Sequence, residues 1–489
     1  MSSVGAKQKI PGTAFRLEHG YSFEIPIEVP LFGDDNILIG ASPSEAPEAI
    51  YVGKVAEFQA MHKNVWLDCE GAHAVYVMGK RRSGKSFTLG VLAESLASAS
   101  WIRQGELRQG VLILDSMNVF LTMAYPVEST FGNSDPQVRE ARQWGLAGSP
   151  PRIQFFYPKG SPAPPEGEPR ELSLRACDLS GEEWAALFEV DTFSDPIGQL
   201  ISEIYDMVAV EGYTTNSGQS VSPKPGFVID DLLHCIEAGS EVGRFEPKTI
   251  EAVRRRLKAI RRTAVISDTG LDVRELFLPG QVSVVLLRDI HHDLRSLLIA
   301  VIVKKLMQLR SRSDKYERLA SVNLAKYQAS GDEQARQRAA QYQTMAADGI
   351  TRGWIIIDEA HNYIPAKGIL PSKEPLRKYV NEGRNLGLSI VVATQYPSSL
   401  DPSIQRNADV LIVHSMSMRD DIVAADGMVN TFLPESVRID NRDKITTRVF
   451  EQMVRSLPLG YAIVSNDRVN RVFAIKVRPR LTVHGGANY

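Results

Sequence analysis

Cysteine is nearly absent: Cys69, Cys177 and Cys235 are the only three in 489 residues. They show neither CxxC spacing nor an even count, so they frame neither a zinc site nor a disulfide scaffold, and a reducing compartment is expected. Long apolar runs are missing too. No stretch of about 18 apolar residues occurs, and the opening MSSVGAKQKIPGTAF has no apolar signal core. These absences predict a cytosolic protein with no membrane span. Charge of one sign is also lacking, since 56 Lys plus Arg stand against 58 Asp plus Glu. Bulk attraction to DNA or membrane is thereby excluded, and any nucleic-acid contact must come from local charge.

What is present is concentrated in His73 to Glu94, HAVYVMGKRRSGKSFTLGVLAE. The apolar, β-branched run Ala74 to Met78 predicts a buried strand. Gly79, Lys80, Arg81, Arg82, Ser83, Gly84, Lys85 and Ser86 then fit G-x-x-x-x-G-K-[ST], and Phe87 opens an apolar helix. Strand, glycine loop and helix in that order form a phosphate cradle: the glycines let backbone N–H groups turn toward phosphate oxygens, and the helix N-terminus adds its positive end. Lys85 is predicted to reach the β- and γ-phosphates and Ser86 to place its hydroxyl on Mg²⁺. The cofactors expected are ATP and Mg²⁺.

In chain order, residues 1 to about 20 read as polar and loose. Short β-type runs (Phe23 to Val29, Ile37 to Ile39, Ile50 to Val55, Val65 to Leu67) then predict a small β-rich, barrel-like domain over 1–70. Residues 71–178 open an ATPase core. Within them GVLILD ends on Asp115, either a metal- or water-holding acid at a strand terminus or a turn cap. PKGSPAPPEGEP reads as an exposed loop. Residues 179–280 read as a helical insertion. There GFVIDD imitates a metal-binding strand, although Asp230 and Asp231 also suit a helix N-cap. RRRLKAIRR (254–262) is either a solvated basic face on the helix stripe Val253, Leu257, Ile260 or a phosphate-contacting surface. The core resumes over 281–465. It begins with a strand at Val282 to Leu287 and an apolar helix at Leu294 to Leu309, followed by an exposed Ala/Gln/Arg-rich helical segment over 311–348. Residues 466–489 complete a hairpin strand and end in an arm laid over something else, such as a neighbouring subunit.

The second half of the site lies in WIIIDEAH, 354–361. A buried parallel strand would deliver Asp358 to the metal and Glu359 to the attacking water as general base. LSIVVATQ (388–395) predicts a further strand, between the other two in the sheet, with Gln395 at its end to sense the γ-phosphate or place water. VNEGRNLG (380–387) carries Arg384, and Arg406 follows. In a ring of subunits either arginine could enter a neighbour's site as a finger.

GKRRSGKSFTLGVLAE, IIIDEAHNYIP and VNEGRNLGLSIVVATQYPSSLDPSIQRNADVLIVHSM, after a β-rich N-terminal segment, together resemble the HerA family of the FtsK–HerA ATPases. The resemblance spans most of residues 50 to 480. It implies an α/β fold: a RecA-like P-loop (ASCE) core with a small N-terminal β-barrel-like domain and a helical insertion. It also implies a homo-oligomer, six subunits around a channel, driven by ATP along double-stranded DNA. A nuclease or other effector would dock on the N-terminal face, in DNA end processing or anti-phage defence. Carried over residue by residue, Lys85 and Ser86 are the Walker A pair, Asp358 and Glu359 the Walker B pair, Gln395 the sensor and Arg384 the preferred inter-subunit arginine. Two residues depart from the family pattern: Arg82 replaces a small loop residue, and Tyr396 replaces the arginine usual after ATQ. An alternative within the same resemblance is a hexameric scaffold that ATP sets and an effector occupies, without sustained DNA movement.

Overall fold

The structure is a computed structural model and describes residues 13–16, 22–25, 36–40, 48–56, 63–98, 102–104, 109–132, 135–146, 151–368, 370–429, 443–466 and 471–485. The predicted loose N-terminus, the end of the Phe23–Val29 run and the hairpin turn after Asn466 lie mostly or wholly outside these residues.

One mixed sheet organises the molecule. Its parallel part runs in the order Arg170–Leu172, Arg152–Pro158, Gln281–Leu286, Gly110–Asp115, Gly353–Ile357, Leu388–Thr394, Ala74–Met78, Val410–Val413. Every residue of the central strands Ala74–Met78, Gly110–Asp115, Gly353–Ile357 and Leu388–Thr394 is buried, as sequences apolar on both faces require when helices cover a parallel sheet. Helix Lys85–Ala97 is buried along nearly its whole length and packs on this sheet. The fold is therefore α/β and RecA-like, with strands from both sides of the helical segment interleaved in one core.

The N-terminal segment differs from a separate barrel. Antiparallel strands Tyr461–Asn466 and Arg471–Val477 lead from Val410–Val413 to Ala49–Val55, Asn64–Asp68 and Asn36–Ile39, so the β-rich segment extends the ATPase sheet. Among the described residues only Thr13–Arg16 and Ser22–Ile25 pair apart from it before residue 70.

Local readings were decided by packing. Arg152–Pro158, within a Pro/Gly-rich region, is a sheet strand because Phe155 and Phe156 are fully buried. Gly226 to Asp231 is no strand: Ile229–Ala238 is a helix, and Asp231 caps it by accepting the Val228 N–H at 2.7 Å. The basic run falls on helix Pro247–Arg261, whose Val253, Leu257 and Ile260 are buried. Its cations meet carboxylates: Arg254 and Arg255 pair with Glu251, Lys258 with Glu237, and Arg261 with Asp230 at 2.8 Å. The 311–348 segment continues helix His292–Ser330 and turns back through Glu333–Ala347 as a helical hairpin.

The C-terminal arm is corrected outright. Residues 478–483 are buried against the chain's own helix Lys85–Ala97, not laid over a neighbour. Arg478 donates to Val91 O at 3.0 Å and Ser95 Oγ at 2.8 Å, and Glu94 accepts from Arg480 Nε at 3.1 Å and from the Leu481 and Thr482 N–H groups at 2.9 and 3.1 Å. A polar sequence becomes core here because each charge finds its partner inside.

Candidate nucleotide and metal site

The loops at the carboxyl edge of the parallel strands bring Lys85, Ser86, Asp358, Glu359 and Gln395 together. Gly79 leaves Met78 where an added Cβ would lie 2.5 Å from Ser83 Oγ and 2.7 Å from His414 Cβ, so glycine is required by space. Gly84, at φ 110, turns the chain into the helix that begins at Lys85. Arg82 takes a left-handed φ of 62 at the exposed tip between Lys80, Arg81 and the buried Ser83. Phe87 packs edge-on to His484 of the C-terminal segment at 5.5 Å.

Lys85 points inward and donates to Lys80 O at 3.3 Å. Burial holds its ammonium below the ordinary lysine range, against the opposing pull of Glu359 and Asp358. Ser86 Oγ donates to Asp358 Oδ2 at 2.6 Å. Burial, then the neighbouring Glu359 charge, raises the Asp358 carboxyl above its usual range. These two oxygens converge about as closely as adjacent ligands on an octahedral Mg²⁺, roughly 2.9 Å apart. Ser83 Oγ and Glu359 Oε2 are buried without a hydrogen-bond partner. A hard cation would sit on the Ser86 and Asp358 oxygens, a phosphate in the glycine loop would accept from Ser83 Oγ, and a water would donate to Glu359 Oε2, so the residues fit Mg²⁺ and a nucleoside triphosphate.

Glu359 sits at a left-handed φ of 51, rare for a residue with a Cβ and typical of strained functional positions. Gln395 Nε2 donates to Glu359 Oε1. Strand Leu388–Thr394 lies between Gly353–Ile357 and Ala74–Met78, so Gln395 emerges between the glycine loop and the two acids. Asp115 resolves toward its capping role: Oδ1 accepts from Met117 N–H at 3.0 Å and Val119 N–H at 3.2 Å, and Oδ2 from Phe120 N–H at 2.8 Å. Burial still pushes its carboxyl up to about 6. Among the described residues no group of three or more His, Cys, Asp or Glu is placed to hold a metal by itself.

Arg384 and Arg406 lie apart from this edge. Arg384 precedes Leu388, at the amino end of its strand, and reaches Asn407 O at 3.3 Å and Asp409 Oδ2 at 3.4 Å. Seven strand residues separate it from Gln395, about 20 Å at the usual rise. Arg406 closes helix Pro402–Asn407 and lines a separate open cavity with Lys373 and Arg377.

Two histidines escaped the sequence reading. His414 is wholly buried beneath the loop; its Nδ1 donates to Tyr461 O at 2.9 Å and its Nε2 accepts from Thr88 Oγ1 at 3.0 Å. Burial pulls it down to about 4, so a neutral ring braces both loop glycines. His361 Nδ1 meets Thr394 Oγ1 at 3.0 Å and lies 3.5 Å from Glu359 Oε2. The contact between His414 and Thr88 spans 326 positions, and no local pattern announces it.

The fold and site define a RecA-like P-loop core. No protein-family model matches the chain, and no curated protein matches it in sequence. Among solved structures it is similar to VirB4 of Thermoanaerobacter pseudethanolicus, with a TM-score of 0.51 and 12% identity over 89% of this chain and 98% of that one. That likeness shows the fold. The plasmid coupling protein TrwB in complex with ADP and Mg²⁺ aligns at a TM-score of 0.47 and 12% identity, over 91% and 98% of the two chains. Among the described residues no helix is long and apolar enough to cross a membrane.

Proposed function

We propose that the chain is a ring-forming ATP hydrolase of the HerA type that translocates on or unwinds double-stranded DNA and works with a nuclease or other effector. The observation that carries the hydrolase reading is the convergence of Ser86 and Asp358 at 2.6 Å beside Lys85, with Glu359 clasped by Gln395 at the same strand edge. Mg²⁺, when bound, would supply charge to neutralise the phosphates. Ser86 and Asp358 would hold the cation, the glycine loop and Lys85 would hold the phosphates, Glu359 would take the proton of the attacking water, and Gln395 would orient Glu359.

Two features support assembly of copies. Arg384 cannot reach its own chain's phosphates over about 20 Å and so would serve a neighbour's. Met117, Tyr396, Met418 and Leu459, 48–73% exposed, lie in segments at the same edge of the sheet and would be covered if a second copy docked there. The scaffold reading is favoured by one observation: the cations of 254–262 are largely paired with carboxylates, which leaves little local charge for DNA there. Steady-state ATPase with and without linear duplex DNA across a salt series, with oligomer mass read in parallel, separates them. DNA stimulation that fades with salt supports translocation. An intact ring indifferent to DNA supports the scaffold, no ATPase under any condition rejects the motor, and no ATP binding rejects both.

A further inference from the structure

His73 is fully buried and has a carboxylate on each ring nitrogen: Asp409 Oδ2 lies 2.7 Å from Nδ1 and Asp68 Oδ2 lies 2.8 Å from Nε2. A neutral imidazole carries one N–H and would turn its lone pair on one of these oxygens. With both carboxylates ionised, both contacts are satisfied only by the imidazolium. The ring cannot swing away. Its backbone N–H is bound to Ser389 Oγ at 3.0 Å, Trp354 stacks beside it at 6.1 Å, and a Cβ at Gly40 would come within 2.9 Å of its Cε1.

Asp409 is shared. Oδ1 accepts the Ala74 N–H at 2.9 Å, while Oδ2 serves both His73 at 2.7 Å and Arg384 at 3.4 Å. The short bond goes to the histidine and the long one to the arginine. Arg384 is accordingly held loosely, 31% exposed, on an open cavity of about 750 Å³ that it lines with Arg318 and Arg352. From Asp68 in the β-rich segment to Arg384, the chain of charges is minus, plus, minus, plus.

We propose that His73 is a positioning residue for Arg384: by occupying Asp409, its imidazolium keeps the arginine from being drawn into the protein and leaves the guanidinium presented to a neighbouring subunit. The inference rests on the reading that Arg384 acts on a neighbour's nucleotide. It also ties that arginine to the N-terminal β-rich segment, because Asp68 is the other anion that fixes the ring.

Take away the imidazolium and Asp409 faces one cation instead of two. Arg384 then closes onto Oδ2, and the cost falls on transition-state stabilisation in the neighbouring site rather than on nucleotide binding. A misplacement of about 1 Å can cost on the order of 100-fold in rate.

The test uses the full chain in its assembled state, with steady-state ATPase measured for wild type, His73→Asn, Arg384→Ala and the pair combined. His73→Asn is expected to lower kcat about 10- to 100-fold with KM for ATP little changed, and to add almost nothing to Arg384→Ala. Adding Asp409→Asn to His73→Asn removes the group that draws the arginine in, so kcat should recover in part; a merely structural role predicts further loss. Arg384→Ala at wild-type kcat sinks the inter-subunit reading itself. Arg384→Ala impaired beside His73→Asn at wild-type kcat in an intact oligomer overturns the positioning role alone. Should His73→Asn not fold, Asp68→Asn leaves the ring in place and removes one carboxylate that keeps it charged. It is expected to lower kcat in the same direction, and an unchanged kcat overturns the proposal.

Discussion

Substituting Glu94 tests how the C-terminal segment is held. Its carboxylate is fully buried and accepts from Arg480 Nε, the Leu481 and Thr482 N–H groups and the Thr482 hydroxyl, with Arg478 Nη1 at 3.5 Å. Burial holds both guanidinium groups below their ordinary range while Glu94 opposes it. Glu94→Ala leaves two buried cations and two backbone donors unpaired. Breaking a buried pair costs about 3–5 kcal/mol, a large share of the roughly 5–15 kcal/mol by which domains are stable. Glu94→Gln retains one acceptor oxygen at nearly the same volume and should cost less. Urea titration followed by tryptophan fluorescence measures the loss, and hydrogen exchange on helix Lys85–Ala97 localises it. The segment 478–483 should lose protection first, with the helix that carries the phosphate loop next. A loss for Glu94→Ala below about 1 kcal/mol, within the range of ordinary surface changes, would refute the claim that this cluster pins the segment.

Other perturbations bear on the site and its surroundings. Lys85→Ala should abolish nucleotide binding in a fluorescent-nucleotide titration, whereas Glu359→Gln should keep binding and lower turnover about 10²–10⁴-fold; normal turnover in Glu359→Gln would refute its role as general base. Asp231→Ala removes a helix cap and should cost about 1 kcal/mol in a denaturant melt with ATPase unchanged. For pH, burial opposes charge on His73, but the hydrogen bonds it donates to Asp409 and Asp68, together with their negative charges, outweigh burial and raise the ring above its ordinary 6.5. Its stabilising charge is therefore fully present below that value and is lost as pH rises through the raised one. Melting temperature should fall on the alkaline side in wild type and less steeply in His73→Gln, and parallel curves would refute the assignment.

The phosphate loop was legible because its function is local: eight consecutive residues, a strand before them and a helix after, carry the geometry with them. Asp358 and Glu359 were legible for the same reason, as acids at the end of an apolar run. Asp115 and Asp230–Asp231 imitate that pattern. Only their neighbours settled them, three backbone N–H groups around one and a helix start around the others. The N-terminal runs read correctly as strands, yet a strand pattern does not say which edge it joins, and Ala49–Val55 found Arg471–Val477. The C-terminal segment was misread because polarity argues for exposure until each charge is known to have a buried partner.

By itself, then, the sequence determined the α/β class and picked out the glycine loop, the two acids and the amide that the fold brings to one sheet edge, since each depends on residues adjacent in the chain or on a single strand's period. Tertiary structure alone decided the order of strands, the neutral His414 under the loop, the clasp of His73 between two aspartates and the Glu94 cluster. Those contacts join residues up to several hundred positions apart, and whether a buried charge is tolerated depends on the partner the fold brings to it, which no local pattern encodes.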